Sequence, residues 1–317
     1  MTLSRLFCFG LLTGLLVLIG HAADASPKIS TYETEWRDPA RNNRVVPVKI
    51  YYPADTTTPC PVILFSHGLG GSREGYSYLG EYWAAHGYVS VHLQHAGSDE
   101  AVWKDSPHPM QAMISAVSNP SNARNRPRDV SFVLDRLTAC ASDDSFPLHG
   151  RLDLAHVGLA GHSFGAYTTL ATITPDHPAG GYDPRFKAAI AMSAPKPRLP
   201  DAYAGIRIPV FHMTGTEDVD PMGGASDPKD RRIPYDQARA APACLLTFKG
   251  GDHMVFSGRL TKKRSTDAPF QALVCSGSLA FWDATLKGDA KAKQWLEGGA
   301  FAQALGALGT FEQKYPR

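Results

Sequence analysis

The chain has 317 residues, 43% of them hydrophobic and 20% charged, and its 32 Lys and Arg against 30 Asp and Glu leave a formal net charge of +2. Both signs are scattered along the sequence, which excludes the concentrated basic footprint of a nucleic-acid or anionic-membrane binder. The length suits one large α/β domain, with no internal repeat and no low-complexity tract.

Arg5 precedes an apolar run from Leu6 to Ile19, followed by the small-residue stretch Gly20-His21-Ala22-Ala23-Asp24-Ala25-Ser26. A positive start, an apolar centre and an A-x-A site predict a secretory signal peptide. Cleavage is expected after Ala25, with Ala22 as second choice. The run is shorter than the roughly 20 apolar residues that span hydrocarbon, which argues against a membrane anchor. Residues 26–317 are then one domain, secreted or periplasmic. Cys8 leaves with the leader, and Cys60, Cys140, Cys244 and Cys275 remain. An even number in an exported chain allows disulfides in any of three connectivities, with buried free thiols as the alternative. Their spacing has no zinc pattern.

Short apolar runs alternate with helical patterns from there on, the signature of a mostly parallel, doubly wound sheet. Val45–Tyr52 and Pro61–Ser66 read as strands, Gly75–His86 as a helix closed by Gly87, and Tyr88–Leu93 as the next strand. A long polar excursion from His95 to Arg126 follows. Loops of that length are commonly functional, and this one leaves a strand on the side where open α/β sheets place ligands, so it is expected to wall a substrate site. Pro127 is expected to open a helix carrying Val130, Val133, Leu134 and Leu137 on one face. Val157–Ala160, Phe186–Met192, Ile208–Met213 and Leu245–Phe248 are the remaining predicted strands, the last of these closing the sheet. Pro269–Leu286 and Ala290–Leu305 are predicted closing helices.

The chemistry gathers at strand ends. Val157–Ala160 runs into Gly161-His162-Ser163-Phe164-Gly165, and a helix-compatible stretch follows. A strand that turns so sharply into a helix needs glycines flanking the serine, and it presents the hydroxyl at the helix N-terminus. Ser163 is the candidate nucleophile. A serine at neutral pH needs an adjacent base. His253 follows Leu245–Phe248 in Lys249-Gly250-Gly251-Asp252-His253-Met254, and Asp218 follows Ile208–Met213 in Gly215-Thr216-Glu217-Asp218. Nucleophile, acid and histidine in that order form a catalytic triad of the α/β-hydrolase fold. Glu217, Asp220 and Asp252 read as solvated loop charges. The oxyanion donors are assigned to the amides of Phe164 and of Leu69, in Phe65-Ser66-His67-Gly68-Leu69-Gly70-Gly71. His67 reads as a brace of that loop and His162 as packing beside the elbow. Trp103, from the excursion, and Met254 are candidate substrate contacts.

Phe65–Gly70, Ala84-Ala85-His86-Gly87-Tyr88 and Gly161–Gly165 together resemble the platelet-activating-factor acetylhydrolase and bacterial dienelactone-hydrolase-like group, over most of the mature chain. More loosely, the chain is similar to bacterial polyester hydrolases. The resemblance implies a metal-independent esterase acting on short or oxidised acyl groups. Two departures stand out. The animal acetylhydrolases carry their acid after the strand that follows the nucleophile helix, where this chain has Ser193, and true dienelactone hydrolases use cysteine where it has Ser163.

The expected reaction is two-step acyl transfer to water on a small-molecule ester or lipid-like substrate. No metal, organic cofactor or nucleic-acid partner is implied, and no membrane span after processing. A peptidase or polymer-degrading esterase on the same scaffold is the nearest alternative. A non-catalytic binding protein would have lost a triad member or an elbow glycine, and all are present.

Overall fold

The computed structural model describes residues 28–220, 222, 227–258 and 267–316. The predicted leader and its cleavage site lie outside the described residues. In chain order the elements are β1 (Ile29–Asp38), β2 (Arg44–Pro53), β3 (Cys60–Ser66), α1 (Ser77–Ala85), β4 (Val89–Leu93), α2 (Ala101–Lys104), α3 (Pro109–Ser118), α4 (Pro120–Cys140), β5 (Leu152–His162) and α5 (Phe164–Ile173). They continue with β6 (Phe186–Met192), β7 (Val210–Glu217), α6 (Ile233–Gln237), β8 (Ala243–Asp252), α7 (Ala268–Leu286), α8 (Ala290–Glu297), α9 (Ala300–Leu305) and β9 (Gly309–Lys314).

Among the described residues these strands form one nine-stranded sheet in the order β1-β2-β4-β3-β5-β6-β7-β8-β9. The six from β4 to β8 are parallel neighbours, and β1, β2 and β9 add antiparallel margins. The chain therefore has an α/β fold with a mixed, mostly parallel sheet between two helical layers. β3 is buried at every position because helices cover both of its faces, hence its unbroken apolar run. On one face Val130, Val133, Leu134 and Leu137 of α4 and Leu170 and Ile173 of α5 pack on the sheet. On the other, Leu79 and Trp83 of α1 meet Val274, Phe281 and Trp282 of α7.

The structure corrects four expectations. β1 and β9 are strands that the sequence reading missed, so Leu245–Phe248 does not close the sheet. Both are half-exposed margins whose polar residues interrupt the apolar signal, as in ISTYETEWRD and GTFEQK. The helix expected from Pro127 begins at Pro120, where the Asn119 side chain accepts the amide of Ser121 and caps it. Pro127 then lies inside that helix, which forgoes one backbone hydrogen bond there. Residues 290–305 are two helices, because Gly299 adopts φ 96° between them. The excursion after His95 is largely helical, formed by α2, α3 and the start of α4. Cys60, Cys140, Cys244 and Cys275 are free thiols, and burial pushes Cys244 and Cys275 up to about 12.

Candidate active site

The carboxyl ends of β3, β5, β7 and β8 surround one cavity of about 1470 Å³. Ser163 sits at the turn from β5 into α5 with φ 56° and ψ −118°, a strained conformation for an L residue. The elbow glycines are required by contact. A Cβ on Gly161 would run into the Gly165 carbonyl, and one on Gly165 into the carbonyl of Ser66. The second contact locks the first turn of α5 against the end of β3, so the Ser163 turn and the Leu69 loop are set in one piece.

β7 and β8 bring Asp218 and His253 together in the same way. Gly215 lies so close to Gly251 that a Cβ there would overlap its backbone. The turns beyond these glycines carry Asp218 and His253. His253 Nδ1 donates to Asp218 Oδ1 at 2.7 Å, which leaves Nε2 as the ring's available basic nitrogen. Asp218 is fully buried, while Ser163, His253, Leu69, Phe164, Trp103 and Met254 all line the cavity. Burial alone would raise the Asp218 pKa, but the His253 hydrogen bond and charge, followed by Arg231, hold it below the ordinary carboxylate value. Thr214 donates a further hydrogen bond to the carboxylate at 2.8 Å. Ser193 Oγ makes no hydrogen bond of good geometry, yet lies close enough to favour the ionised carboxylate. Of the competing acids, Asp220 accepts the amide of Met222 and Asp252 that of Met254, both local turns, and Glu217 is exposed.

The histidines of the two motifs brace the loops. Both ring nitrogens of His67 are engaged, Nδ1 donating to the Gly68 carbonyl and Nε2 accepting the amide of His95. His162 Nε2 donates to the His253 carbonyl at 2.8 Å, so its Nδ1 accepts from the Tyr76 hydroxyl at 2.7 Å. Trp103 Nε1 donates to the Gly70 carbonyl at 2.8 Å, which fixes the indole over the Leu69 loop. Met113, Ile114 and Val117 of α3 extend that wall.

Sequence reasoning missed three features. Arg231, only 3% exposed, lies behind the Asp218–His253 pair. It donates to the Asp218 and Ser193 carbonyls and approaches Asp218 Oδ1 to 3.3 Å. Its Nη2 is 3.3 Å from His253 Nδ1, whose proton is already given to Asp218, so that contact is positional. Tyr76, the partner of His162, is the second. The third is another Ser–His–Asp chain: Ser66 Oγ lies 2.9 Å from His95 Nε2, and His95 Nδ1 is 3.0 Å from Asp129 Oδ2. All three residues are fully buried. Arg41 and Arg44 bind the Asp129 carboxylate, and Arg126 Nη2 donates to Ser66 Oγ at 3.0 Å. No signal short of the folded contact joins residues so far apart in sequence.

Burial keeps a group of histidines neutral. It lowers His92 to about 4 and His95, His162 and His212 to about 3, and lowers His67 well below its ordinary value. An unfolded chain protonates these rings below about pH 6.5, whereas the folded chain resists until about pH 4 or lower. The unfolded state thus holds more protons across that window, and stability falls as pH drops through it. Each ring that stays neutral in the folded chain costs about 1.4 kcal/mol per pH unit below about pH 6.5. Thermal unfolding followed by circular dichroism should show the melting temperature falling steadily over that range, and a flat profile would contradict this burial.

Among the described residues no helix is long and apolar enough to cross a membrane, and no group of three or more His, Cys, Asp or Glu side chains could hold a metal ion. Residues 29–114 match the family described as platelet-activating factor acetylhydrolase, isoform II. That segment runs from β1 into α3 and contains the Leu69 loop, but stops short of Ser163. The chain is 28% identical over 195 residues to the platelet-activating factor acetylhydrolase of Cavia porcellus, covering 53% of this chain and 43% of that protein. It is 27% identical over 241 residues to the one of Canis lupus familiaris, covering 65% and 50%. The chain spans about half the length of the curated relatives it matches.

Proposed function

We propose that this chain, an α/β-hydrolase related to the platelet-activating-factor-acetylhydrolase-like serine esterases, hydrolyses carboxylic esters of small-molecule or lipid-like substrates at Ser163. The observation that carries the reading is Ser163 in its strained turn at the N-terminus of α5, facing the cavity that His253 also lines, with His253 bonded at 2.7 Å to buried Asp218. His253 Nε2 takes the hydroxyl proton as Ser163 Oγ bonds to the ester carbonyl carbon. Asp218 holds the ring in that tautomer and stabilises the imidazolium. The amides of Leu69 and Phe164 receive the negative oxygen, and the α5 N-terminus adds its positive end. The proton then passes to the leaving alcohol as the C–O bond breaks. Water, deprotonated by His253, repeats the sequence on the acyl-enzyme and releases the acid.

Ser66 is a second reading, favoured by its hydrogen bond to His95. It fares worse because its hydroxyl is fully buried beneath Arg126 and does not border the cavity. Trp103, Met113, Phe164 and Met254 offer an apolar wall suited to an acyl chain. A panel of soluble esters of increasing acyl length, with peptide amides beside it, tests the reaction class. Hydrolysis favouring the short acyl esters is expected, and cleavage of amides alone would overturn the esterase reading. Export is part of the proposal: the protein recovered outside the cytoplasm should begin at Ser26 or Ala23, and N-terminal sequencing that found Met1 retained would remove it.

A further inference from the structure

We propose that Arg126 is a positioning residue of the oxyanion hole, a buried clamp that sets the Leu69 and Phe164 amides relative to one another. The inference rests on the esterase reading above. Arg126 projects from α4, which contributes no triad residue, and its side chain is fully buried. Its guanidinium reaches the Leu69 loop on both sides of the proposed donor. Nη2 donates directly to the His67 carbonyl, ahead of Leu69. Nη1 donates to Ser98 Oγ at 2.9 Å, and the Ser98 carbonyl accepts the amide of Gly70 at 2.9 Å, just after Leu69. The peptide carrying the Leu69 amide is thus bracketed by two anchors that lead back to one side chain.

The same guanidinium governs the other donor. Its Cζ lies over the Phe164 ring, 4.6 Å from the centroid. Its Nε donates to Thr168 Oγ1 at 2.8 Å, and that hydroxyl donates to the Phe164 carbonyl at 2.9 Å. Two amides must converge on one oxygen to be worth their full effect, and they come from segments almost 100 residues apart in sequence. A planar fork with several fixed donors can hold both, and an ammonium on a flexible stem cannot. Buried charge is costly unless it is compensated by hydrogen bonds and an opposing charge. Here the acceptors just named and the nearby Asp129 offset the burial, which lowers Arg126 only to about 9 and leaves it charged at neutral pH.

Arg126→Lys and Thr168→Val test this on the full-length protein with a soluble ester. Misplacing a reacting group by about 1 Å costs on the order of 100-fold, so Arg126→Lys should lower kcat about 100-fold and Thr168→Val about tenfold, each with KM nearly unchanged. A trifluoromethyl ketone adds to the serine and places an oxyanion in the hole, so its affinity should weaken in step with kcat. The product alcohol, which has no oxygen in the hole, should bind each variant as it binds the unaltered protein, and the pH profile should keep its shape. Wild-type kcat in Thr168→Val, with Arg126→Lys either active or unfolded, overturns the proposal. So does a parallel loss of affinity for the product alcohol, which marks general disruption. If the unaltered protein neither hydrolyses esters nor binds the ketone, the esterase reading has failed instead.

Discussion

Ser163→Ala should lower kcat by at least about 1000-fold on a soluble ester, while Ser66→Ala should retain activity within about tenfold per folded molecule. Removing a triad nucleophile leaves only the oxyanion hole and substrate binding to act, and single losses of this kind have cost as much as about 10⁶ in kcat. Ser163 tolerates the change structurally, because its backbone conformation is imposed by the packing of Gly161 and Gly165 against β3. Ser66 differs in kind. Its hydroxyl accepts from Arg126 and bonds His95 in a fully buried site, so its removal strands partners and should cost stability, about 1–3 kcal/mol. Steady-state kinetics paired with thermal melts separate the two serines. Loss of activity in Ser66→Ala with a normal melt, and retention in Ser163→Ala, would exchange their roles.

Asp218→Asn should cost orders of magnitude in kcat, and Asp220→Asn and Asp252→Asn at most about tenfold. His253 Nδ1 donates to Asp218 across 2.7 Å, and Asp218 is held ionised chiefly by that partner and by Arg231 against the opposing effect of burial. An amide in its place can itself donate to the ring, which favours the tautomer with Nε2 protonated and unable to accept from Ser163. In a serine-protease triad that change costs about 10⁴. Arg231, left without the carboxylate it faces at 3.3 Å, adds an uncompensated buried charge. Asp220 and Asp252 accept the backbone amides of Met222 and Met254 within their own turns, away from the His253 ring nitrogen that Asp218 engages. The kcat of the three variants on one ester checks the assignment, with folding verified by circular dichroism. A near-normal Asp218→Asn beside an inactive Asp252→Asn would refute it.

What could be read from the sequence was whatever local geometry dictates. An apolar strand ending in Gly161-His162-Ser163-Phe164-Gly165 has few ways to turn into a helix, and the glycines near the ends of β7 and β8 mark where those backbones approach. Buried parallel strands such as β3 announce themselves because both faces are covered. The polar margins β1 and β9 do not, since most of their side chains are exposed or only half-buried. Pro120 and Pro127 both suit a helix start, and only the Asn119 cap and the packing of α4 choose between them. Arg126, Arg231 and Tyr76 belong to no motif. Their roles arise from contacts spanning 59, 38 and 86 residues, to His67, Ser193 and His162 respectively, which no local pattern encodes.

Which serine carries the acyl group is the central claim, and labelling with a fluorophosphonate followed by peptide mass mapping tests it most directly. Cleavage after Arg151 and Arg185 releases Ser163 on a peptide separate from that of Ser66, which is bounded by Lys49 and Arg73. The account predicts one adduct, on the Ser163 peptide, formed far more slowly in His253→Ala. An adduct on the Ser66 peptide, or labelling of Ser163 that is indifferent to His253, would contradict it.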